Sequence, residues 1–160
     1  MSDIEINPGE RPPDPPIEGN HSKLIKHNGD HTWKDVPLES YKETTESWKG
    51  ITRRELIGKR GETTKFHLRY FEIKPGGYST LEKHEHEHAV VVTRGTGEVR
   101  FGCYIYTVGV GDVVYVGASD PHQFRNAEDA QEPFGFMCIV DAERDLPIAV
   151  DGLGACYICS

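Results

Sequence analysis

Between residues 52 and 140 the chain is a succession of short segments rich in β-branched and aromatic residues, separated by turns that contain glycine or proline. Such segments are typical of half-buried strands, and glycine supplies the positive backbone dihedral angles of tight turns. Many short antiparallel strands at regular intervals predict a sandwich or a barrel. Seven strands are predicted, at residues 52–57, 66–73, 89–94, 98–101, 103–108, 112–116 and 133–140.

The first thirty or so residues lack this pattern. They contain five prolines between residues 8 and 16, together with glycine, asparagine and charged residues and few aliphatic side chains. Such a segment buries too little apolar surface to offset its conformational entropy, so it is expected to be extended or disordered. The chain of 160 residues has the size of one domain. We predict a flexible proline-rich arm over 1–32, a barrel domain over 33–145 and a C-terminal tail over 146–160.

The charge of the chain argues against a nucleic-acid partner. The formal net charge is −8 and the isoelectric point is near 5.4, whereas phosphate backbones are bound by clustered lysine and arginine. The sequence begins without the basic flank and apolar run of a signal peptide, and it has no apolar stretch long enough to span a bilayer. We therefore predict a cytoplasmic protein without a membrane partner, in which the four cysteines are reduced thiols.

The cysteines themselves predict no structural site. Cys103 and Cys138 fall in predicted strands and are expected to be packed as small hydrophobic side chains. Cys156 and Cys159 form a lone C-x-x-C pair, whereas a structural zinc site needs two such pairs or a pair with histidines. A mobile tail with incidental or weakly redox-active thiols is the expected structure there, with a redox pair or half a zinc site as the alternative.

Potential metal ligands are concentrated between Glu82 and His88, and His122 follows further along the chain. In an extended strand, Glu82 and His84 lie on the same face about 7 Å apart, which lets them share one ion. Glu82 and His88 would be roughly 20 Å apart in an unbroken strand, far beyond metal–ligand bonds of about 2.1 Å. The chain must therefore turn near residues 85–87, so that His88 opens the next strand beside His84.

The spacing of these residues resembles the first motif of the cupins: Gly, five residues, His-x-His, three or four residues, Glu, six residues and Gly. The matching positions here are Gly76, Glu82, His84, His88 and Gly95. Two positions depart from the pattern, because glutamate stands where the family has its first histidine and histidine stands where the family has its glutamate. The resemblance therefore implies a set of three imidazoles and one carboxylate, with the carboxylate at a different corner.

A second cupin motif has the pattern Gly, five residues, Pro-x-Gly, two residues, His, three residues and Asn. It is matched at Gly111, Gly117, Ser119, His122 and Asn126, with glycine and serine in place of the family's proline and second glycine. The resemblance covers roughly residues 50–142. It implies an all-β double-stranded β-helix, the jelly-roll cupin barrel, with an extended N-terminal arm. Asn126 is expected to satisfy backbone groups after the ligand strand rather than to act in catalysis.

The resemblance implies that Glu82, His84, His88 and His122 hold one divalent transition metal. Nitrogen and oxygen ligands without thiolate suit Mn, Fe, Ni, Co or Zn, and an octahedral ion would keep two open positions. In an alternative set, His86 replaces Glu82, since His84-x-His86 is itself a His-x-His pair. A second alternative is a solvated charged hairpin whose histidines bind no metal.

Three functions are compatible with such a site. The first is a metal-dependent enzyme on a small molecule, an oxygenase or dioxygenase or another oxidoreductase, in which the open positions activate oxygen or substrate. The second is a sugar-type isomerase or lyase in which the metal is only a Lewis acid, and the third is a non-catalytic metal or ligand sensor.

The resemblance also implies a homodimer. The resemblance also places residues 66–70 on a strand that lines the barrel. His67 and Arg69 alternate there with Phe66, Leu68 and Tyr70, so one of these two sets is expected to face the cavity; the alternative is an outward polar face.

Overall fold

The computed structural model describes residues 9, 13–44 and 46–152. Within these residues the chain forms eleven strands. They are β1 (Glu39–Ser40), β2 (Lys49–Ile57), β3 (Phe66–Tyr78), β4 (Glu82–Lys83), β5 (His88–Arg94), β6 (Thr96–Phe101), β7 (Tyr104–Gly109), β8 (Val113–Val116), β9 (His122–Arg125), β10 (Phe134–Asp141) and β11 (Ile148–Ala149).

The strands curl into a barrel made of two antiparallel layers. The first layer has the order β1-β2-β3-β10-β5-β8, and the second has the order β7-β6-β9-β4-β11. The far end of β3 joins the layers, because Tyr78 pairs with Arg125 of β9. Two packed antiparallel layers, in which neighbouring strands are often distant in sequence, are typical of a jelly roll. The predicted all-β cupin barrel is therefore confirmed.

The core lies between the two layers and follows the alternation of each strand. In β5, for example, Val90 and Val92 are buried while Val91 is exposed. Fourteen buried side chains form one continuous cluster, so the barrel is filled rather than hollow over most of its length. The cluster consists of Ile51, Phe71, Ile73, Val90, Val92, Val99, Val108, Val114, Val116, Phe124, Phe134, Phe136, Cys138 and Val140.

Each of the seven predicted strands overlaps one observed strand, and their ends differ by up to five residues. Pro75, Gly76 and Gly77 follow the predicted strand 66–73, and they do not form a turn, because β3 runs through them to Tyr78. Gly76 has a φ of 78°, so the strand bends there instead of ending. Asn126 supports the bent segment by donating from Nδ2 to the carbonyl oxygen of Ile73 at 3.0 Å. Its predicted structural role agrees with this contact.

The described part of the arm lies against the outer face of the first layer. The Gly19 amide donates to the Arg60 carbonyl oxygen at 2.7 Å, and the rings of Trp33 and Tyr70 are 4.9 Å apart. Ile17 and Ile25 pack on the same small apolar cluster. Few aliphatic side chains therefore suffice to dock this segment, because strand β3 offers an apolar outer face. Residues 1–8 and 10–12 of the arm lie outside the described residues, and the three-part division of the chain stays a prediction.

Two further expectations concern the cysteines and membranes. Cys138 is buried as predicted, whereas Cys103 is exposed at the turn between β6 and β7, so its predicted packing is wrong. A turn residue has no neighbouring strand to cover it. Cys156 and Cys159 lie outside the described residues.

In the part of the chain that the structure describes, no helix has the length and apolar character needed to cross a bilayer. The cytoplasmic location stays a prediction.

Candidate metal centre

Strands from both layers bring three histidines together at one end of the barrel. His88 opens β5 in the first layer, His122 opens β9 in the second, and His84 directly follows β4. The chain turns between His84 and His88, as the distance argument requires. One ligand nitrogen from each of these three residues lies within 4.8 Å of the other two. The structure therefore contains a convergent three-imidazole group that could hold a metal ion.

The hydrogen bonds of His84 and His122 fix which nitrogen of each ring carries its proton. His84 Nδ1 is 2.7 Å from the carbonyl oxygen of His86, and His122 Nδ1 is 2.9 Å from that of Asp120. Because a carbonyl oxygen only accepts, both Nδ1 atoms must donate, and both Nε2 atoms then present lone pairs. These Nε2 atoms are 3.1 Å apart and face each other. Two lone pairs at that distance repel, and a shared cation would relieve the repulsion.

Burial keeps these imidazoles neutral. His84 and His122 are each only 3% exposed. Burial lowers the pKa of His122 to about 4, and burial is also the main cause that lowers the pKa of His84 and of His88. Neutral imidazole is the form that binds metals, so no proton competes for the group near neutral pH. The donor set therefore fits a divalent transition metal.

Glu82, the fourth predicted ligand, is buried in the same cavity but lies outside the three-imidazole group. It is paired in register with His122 across β4 and β9. Its carboxylate accepts from Lys42 Nζ at 2.5 Å, and Lys42 also donates to the Thr80 hydroxyl at 3.1 Å. The structure thus places Glu82 beside the group with a lysine as its partner. The four-ligand set that includes Glu82 stays a prediction.

His86 lies closer to the group than the sequence predicted. Its ring stacks on that of His84 with centroids 3.6 Å apart, and its Nε2 is 3.1 Å from His88 Nε2. Its Nδ1 donates to Asp145 Oδ1 at 2.8 Å, which leaves Nε2 as the acceptor atom. His86 is therefore also oriented with a lone pair toward its neighbours, and the alternative ligand set that contains it remains open.

Asp145 is a part of the site that sequence reasoning missed. Its carboxylate accepts from the amides of Glu85 and His86 at 2.8 and 3.0 Å and from the His86 ring. These hydrogen bonds, led by that from Glu85, lower the pKa of Asp145. The residue lies about sixty positions after the turn that it holds, without any motif around it. No signal in the sequence links the two segments.

A cavity of about 400 Å³ opens beside the histidines. The rings of Phe124 and Phe136 line it and stack 4.8 Å apart. His67 and Arg69 also line it, which decides that the polar set of strand β3 points inward. An apolar floor beside metal-binding nitrogens can hold a small organic molecule and exclude water from it.

Comparisons with known proteins identify the family. The family model described as "Cupin domain" matches residues 69–140. The 1-methylthio-D-xylulose 5-phosphate methylsulfurylase of Rhodospirillum rubrum is 41% identical over 118 residues, which are 73% of this chain and 73% of that protein. This chain belongs to the cupin family. Two solved structures extend the likeness to most of the barrel.

A cupin 2 conserved barrel domain protein from Rhodopseudomonas palustris is 34% identical with a TM-score of 0.73, covering 82% of this chain and 89% of that one. A cupin-2 domain from Rhodospirillum rubrum is also 34% identical, with a TM-score of 0.71 and coverages of 85% and 89%. These relatives confirm that the chain is a small bacterial type of cupin.

In this cupin the third imidazole is oriented by a thiol. Cys138 Sγ lies 3.5 Å from His88 Nδ1 and accepts from Arg69 Nη2 at 3.4 Å. The thiol is buried, and burial raises its pKa. Cys138 therefore acts as a neutral neighbour that fixes the ring of His88, a role that its predicted packing inside a strand did not include. Ligating histidines are commonly oriented by such contacts on the nitrogen that faces away from the metal.

Proposed function

We propose that this cupin is a metal-dependent enzyme that acts on a small ketose-type substrate, with the ion as a Lewis acid. The observation that carries the proposal is the pair of facing lone pairs on His84 and His122, 3.1 Å apart beside a cavity of about 400 Å³. The name of the Rhodospirillum relative supports the substrate class, since that protein acts on a methylthio-substituted ketose phosphate.

The residues of the cavity have distinct roles in this proposal. When bound, the divalent ion would polarise a carbonyl or enol oxygen of the substrate. His84, His88 and His122 hold it, and Glu82 is the proposed fourth ligand. The aromatic floor excludes water from the reacting group. Lys42 donates to the Glu82 carboxylate and so keeps that side chain directed into the cavity.

The experiment that tests the function is an assay with 1-methylthio-D-xylulose 5-phosphate, run in anaerobic buffer with a low-molecular-weight thiol. In the transfer, the bond between C1 and the methylthio sulfur would break with its electron pair going to C1, which takes up the proton of the thiol, and the methylthio sulfur would form a disulfide bond with the thiol sulfur. We expect loss of the substrate with Mn, Fe, Co, Ni or Zn added singly, and no loss after treatment with a chelator. Mass spectrometry of the substrate and product provides the measurement. If the metal-loaded chain leaves this compound unchanged, the proposal is wrong.

The oxygenase predicted from the sequence is distinguished by the same assay in air. Oxygen uptake that requires Fe or Mn, measured with an oxygen electrode, would support an oxygenase or other oxidoreductase. Turnover that is equal with and without oxygen supports a reaction in which the metal ion acts only as a Lewis acid. The name of the relative favours the second outcome. If the chain binds the ligand but turns it over neither with nor without oxygen, the remaining hypothesis is a non-catalytic sensor.

We also propose a homodimer that forms through the outer face of the first layer. Val113 and Tyr115 on β8 are 71% and 62% exposed, and β8 is the last strand of that layer. Val113 pairs in register with the exposed Val91 of β5, so the apolar surface is continuous. Exposed apolar surface next to an open strand edge is typical of protein interfaces.

Light scattering on the purified chain tests the dimer. We expect twice the mass of one chain for the native protein and the mass of a single chain for Val113→Lys, because a charge would be buried without a partner. Leu38→Lys is the matched control and should stay dimeric, because Leu38 is an exposed apolar residue beside β1, at the opposite end of the first layer from β8. A monomeric native chain would contradict the proposal.

A further inference from the structure

The cavity collects positive charge in a chain whose formal net charge is −8. Four basic side chains line it: Lys42, Arg53, Arg69 and Arg144. Two of these are neutralised, because Lys42 lies 2.5 Å from Glu82 and Arg53 lies 3.2 Å from Glu55. The other two form no ion pair with a carboxylate anywhere in residues 13–44 and 46–152. Among the described residues, the cavity therefore holds two guanidinium groups without a directly paired carboxylate, although the buried Glu55 acts on Arg144 from a greater distance.

Arg69 is the more deeply placed of the two. Its side chain is buried, with only 9% of the residue exposed, and its guanidinium carbon lies 4.9 Å from the centre of the Phe71 ring. Nη2 donates to the thiol of Cys138, and the buried Nε has no hydrogen-bond partner. Burying a cation is costly unless an anion pairs with it. An anionic ligand in the cavity would supply both the charge and the missing acceptor.

Arg144 approaches the same part of the cavity from the segment that follows β10. Its Nη1 lies 3.0 Å from His67 Nδ1 and donates to the Asp141 carbonyl oxygen at 3.0 Å. Burial, followed by the positive charge of Arg69, lowers the pKa of Arg144; Glu55 and Cys138 act in the opposite direction, and Arg53 adds a smaller lowering. The guanidinium groups are thus close enough to repel one another, and that repulsion would be removed by a shared anion.

The distance from this charge to the histidines suits one small molecule with two functional groups. Arg69 Nη2 and His88 Nδ1 are 3.4 and 3.5 Å from the Sγ atom of Cys138, so the two nitrogens are separated by no more than about 7 Å, and the nitrogen that faces the metal site lies across the His88 ring from Nδ1. In a pentulose 5-phosphate, the carbonyl carbon and the phosphorus are five bonds apart, or about 6 Å when extended. The two ends of such a molecule could reach both groups at once.

We propose that Arg69 and Arg144, with Arg53 beside them, form a phosphate-binding subsite that anchors a ketose phosphate with its carbonyl at the histidines. The inference rests on the proposed function, since it names the charged end of the same substrate. Guanidinium groups bind phosphate through paired, charge-assisted hydrogen bonds, which a neutral sugar cannot replace. The subsite therefore selects phosphorylated over neutral ketoses.

Calorimetric titration of the full chain tests the subsite separately from catalysis. The probes are D-xylulose 5-phosphate, D-xylulose and inorganic phosphate, each with and without a chelator. We expect D-xylulose 5-phosphate to bind at least about tenfold more tightly than D-xylulose, as expected for charged hydrogen bonds. Inorganic phosphate should still bind when the chelator is present. Equal binding of the sugar and its phosphate would overturn the inference.

Single substitutions test which residues bind the phosphate. Arg69→Met and Arg144→Met should each weaken binding of inorganic phosphate by about tenfold or more. Arg125→Met is the matched control, because Arg125 lies on β9 outside the cavity and should leave binding unchanged. Circular dichroism checks folding, and Arg144→Met on its loop tests the subsite if the Arg69 variant does not fold. Native phosphate affinity in both arginine variants would overturn the assignment.

The two proposals can fail independently. If Arg69→Met loses phosphate binding but the native metal-loaded chain turns over no ketose phosphate, the proposed function is wrong and the subsite stands. If the native chain turns over the ketose phosphate while the arginine variants bind phosphate normally, the function stands and the subsite is wrong.

Discussion

His122→Ala is expected to reduce metal affinity by roughly a hundredfold or more, because it removes one of the two facing Nε2 donors. The buried site would then keep two of its three imidazoles, together with the proposed fourth ligand, and would lose the donor that faces His84. Elemental analysis of the purified variant should find the chain largely without metal, and turnover of the proposed substrate should fall below detection. Competition with a metal-binding dye measures the affinity.

His21→Ala is the matched control, because His21 is exposed in the described arm and is not among the residues that line the cavity. It should retain native metal content. If His122→Ala also retains it, the three-imidazole group is not the metal site.

The same measurement decides between the two possible ligand sets. Full metal occupancy in Glu82→Ala together with loss in His86→Ala would show that His86, not Glu82, is the fourth ligand. The opposite result would support the carboxylate. The structure makes the comparison direct, since His86 presents Nε2 to its neighbours while Glu82 is engaged by Lys42.

Asp145→Ala is expected to weaken metal binding by about ten- to a hundredfold, the range found when groups that orient metal ligands are removed. The carboxylate holds the amides of Glu85 and His86 and the His86 ring, all within the turn that separates His84 from His88. Without it, the turn loses three hydrogen bonds and the imidazoles lose their fixed spacing. Dye competition gives the affinity, and hydrogen exchange at residues 85 and 86 should accelerate.

The neighbouring Glu143→Ala serves as the control for Asp145. Glu143 is exposed in the same segment, and its side chain is not among those that line the cavity. It should leave both the affinity and the exchange rates unchanged. Equal behaviour of the two variants would mean that the segment after β10 does not support the ligand turn.

The barrel was largely predictable from sequence because long strands carry their own signal. In β5, the alternation of buried Val90 and Val92 with exposed Val91 is visible as a pattern of residue types. The strands that carry the site are less visible. β4 has only Glu82 and Lys83, both polar, and β9 begins with His122 and Gln123. Strands β4 and β9 form by pairing with each other, and a local pattern of residue types does not reveal that pairing.

The convergence of His84, His88 and His122 was still predictable, because the spacing of the two cupin motifs indicates which residues meet even where the short strands have no clear pattern of their own. Contacts between distant segments were not. Lys42 reaches Glu82 across 40 positions, and Asp145 reaches His86 across 59. Both lie in segments without a clear period, where the path of the chain is decided by packing on the barrel rather than by residue pattern. The docking of Ile17 and Ile25 on the outer face was missed for the same reason.

The three imidazoles come from both layers of the barrel, since His88 begins a strand of one layer and His122 a strand of the other. An ion held by both would be a further cross-link between two sheets that already meet through apolar packing and through the end of β3. A ligand that binds only the native state stabilises it by about 2.7 kcal/mol at a free concentration of 100 times its Kd. The unfolding temperature, and with it the lifetime of the chain in a cell, would then depend on how much free metal surrounds it.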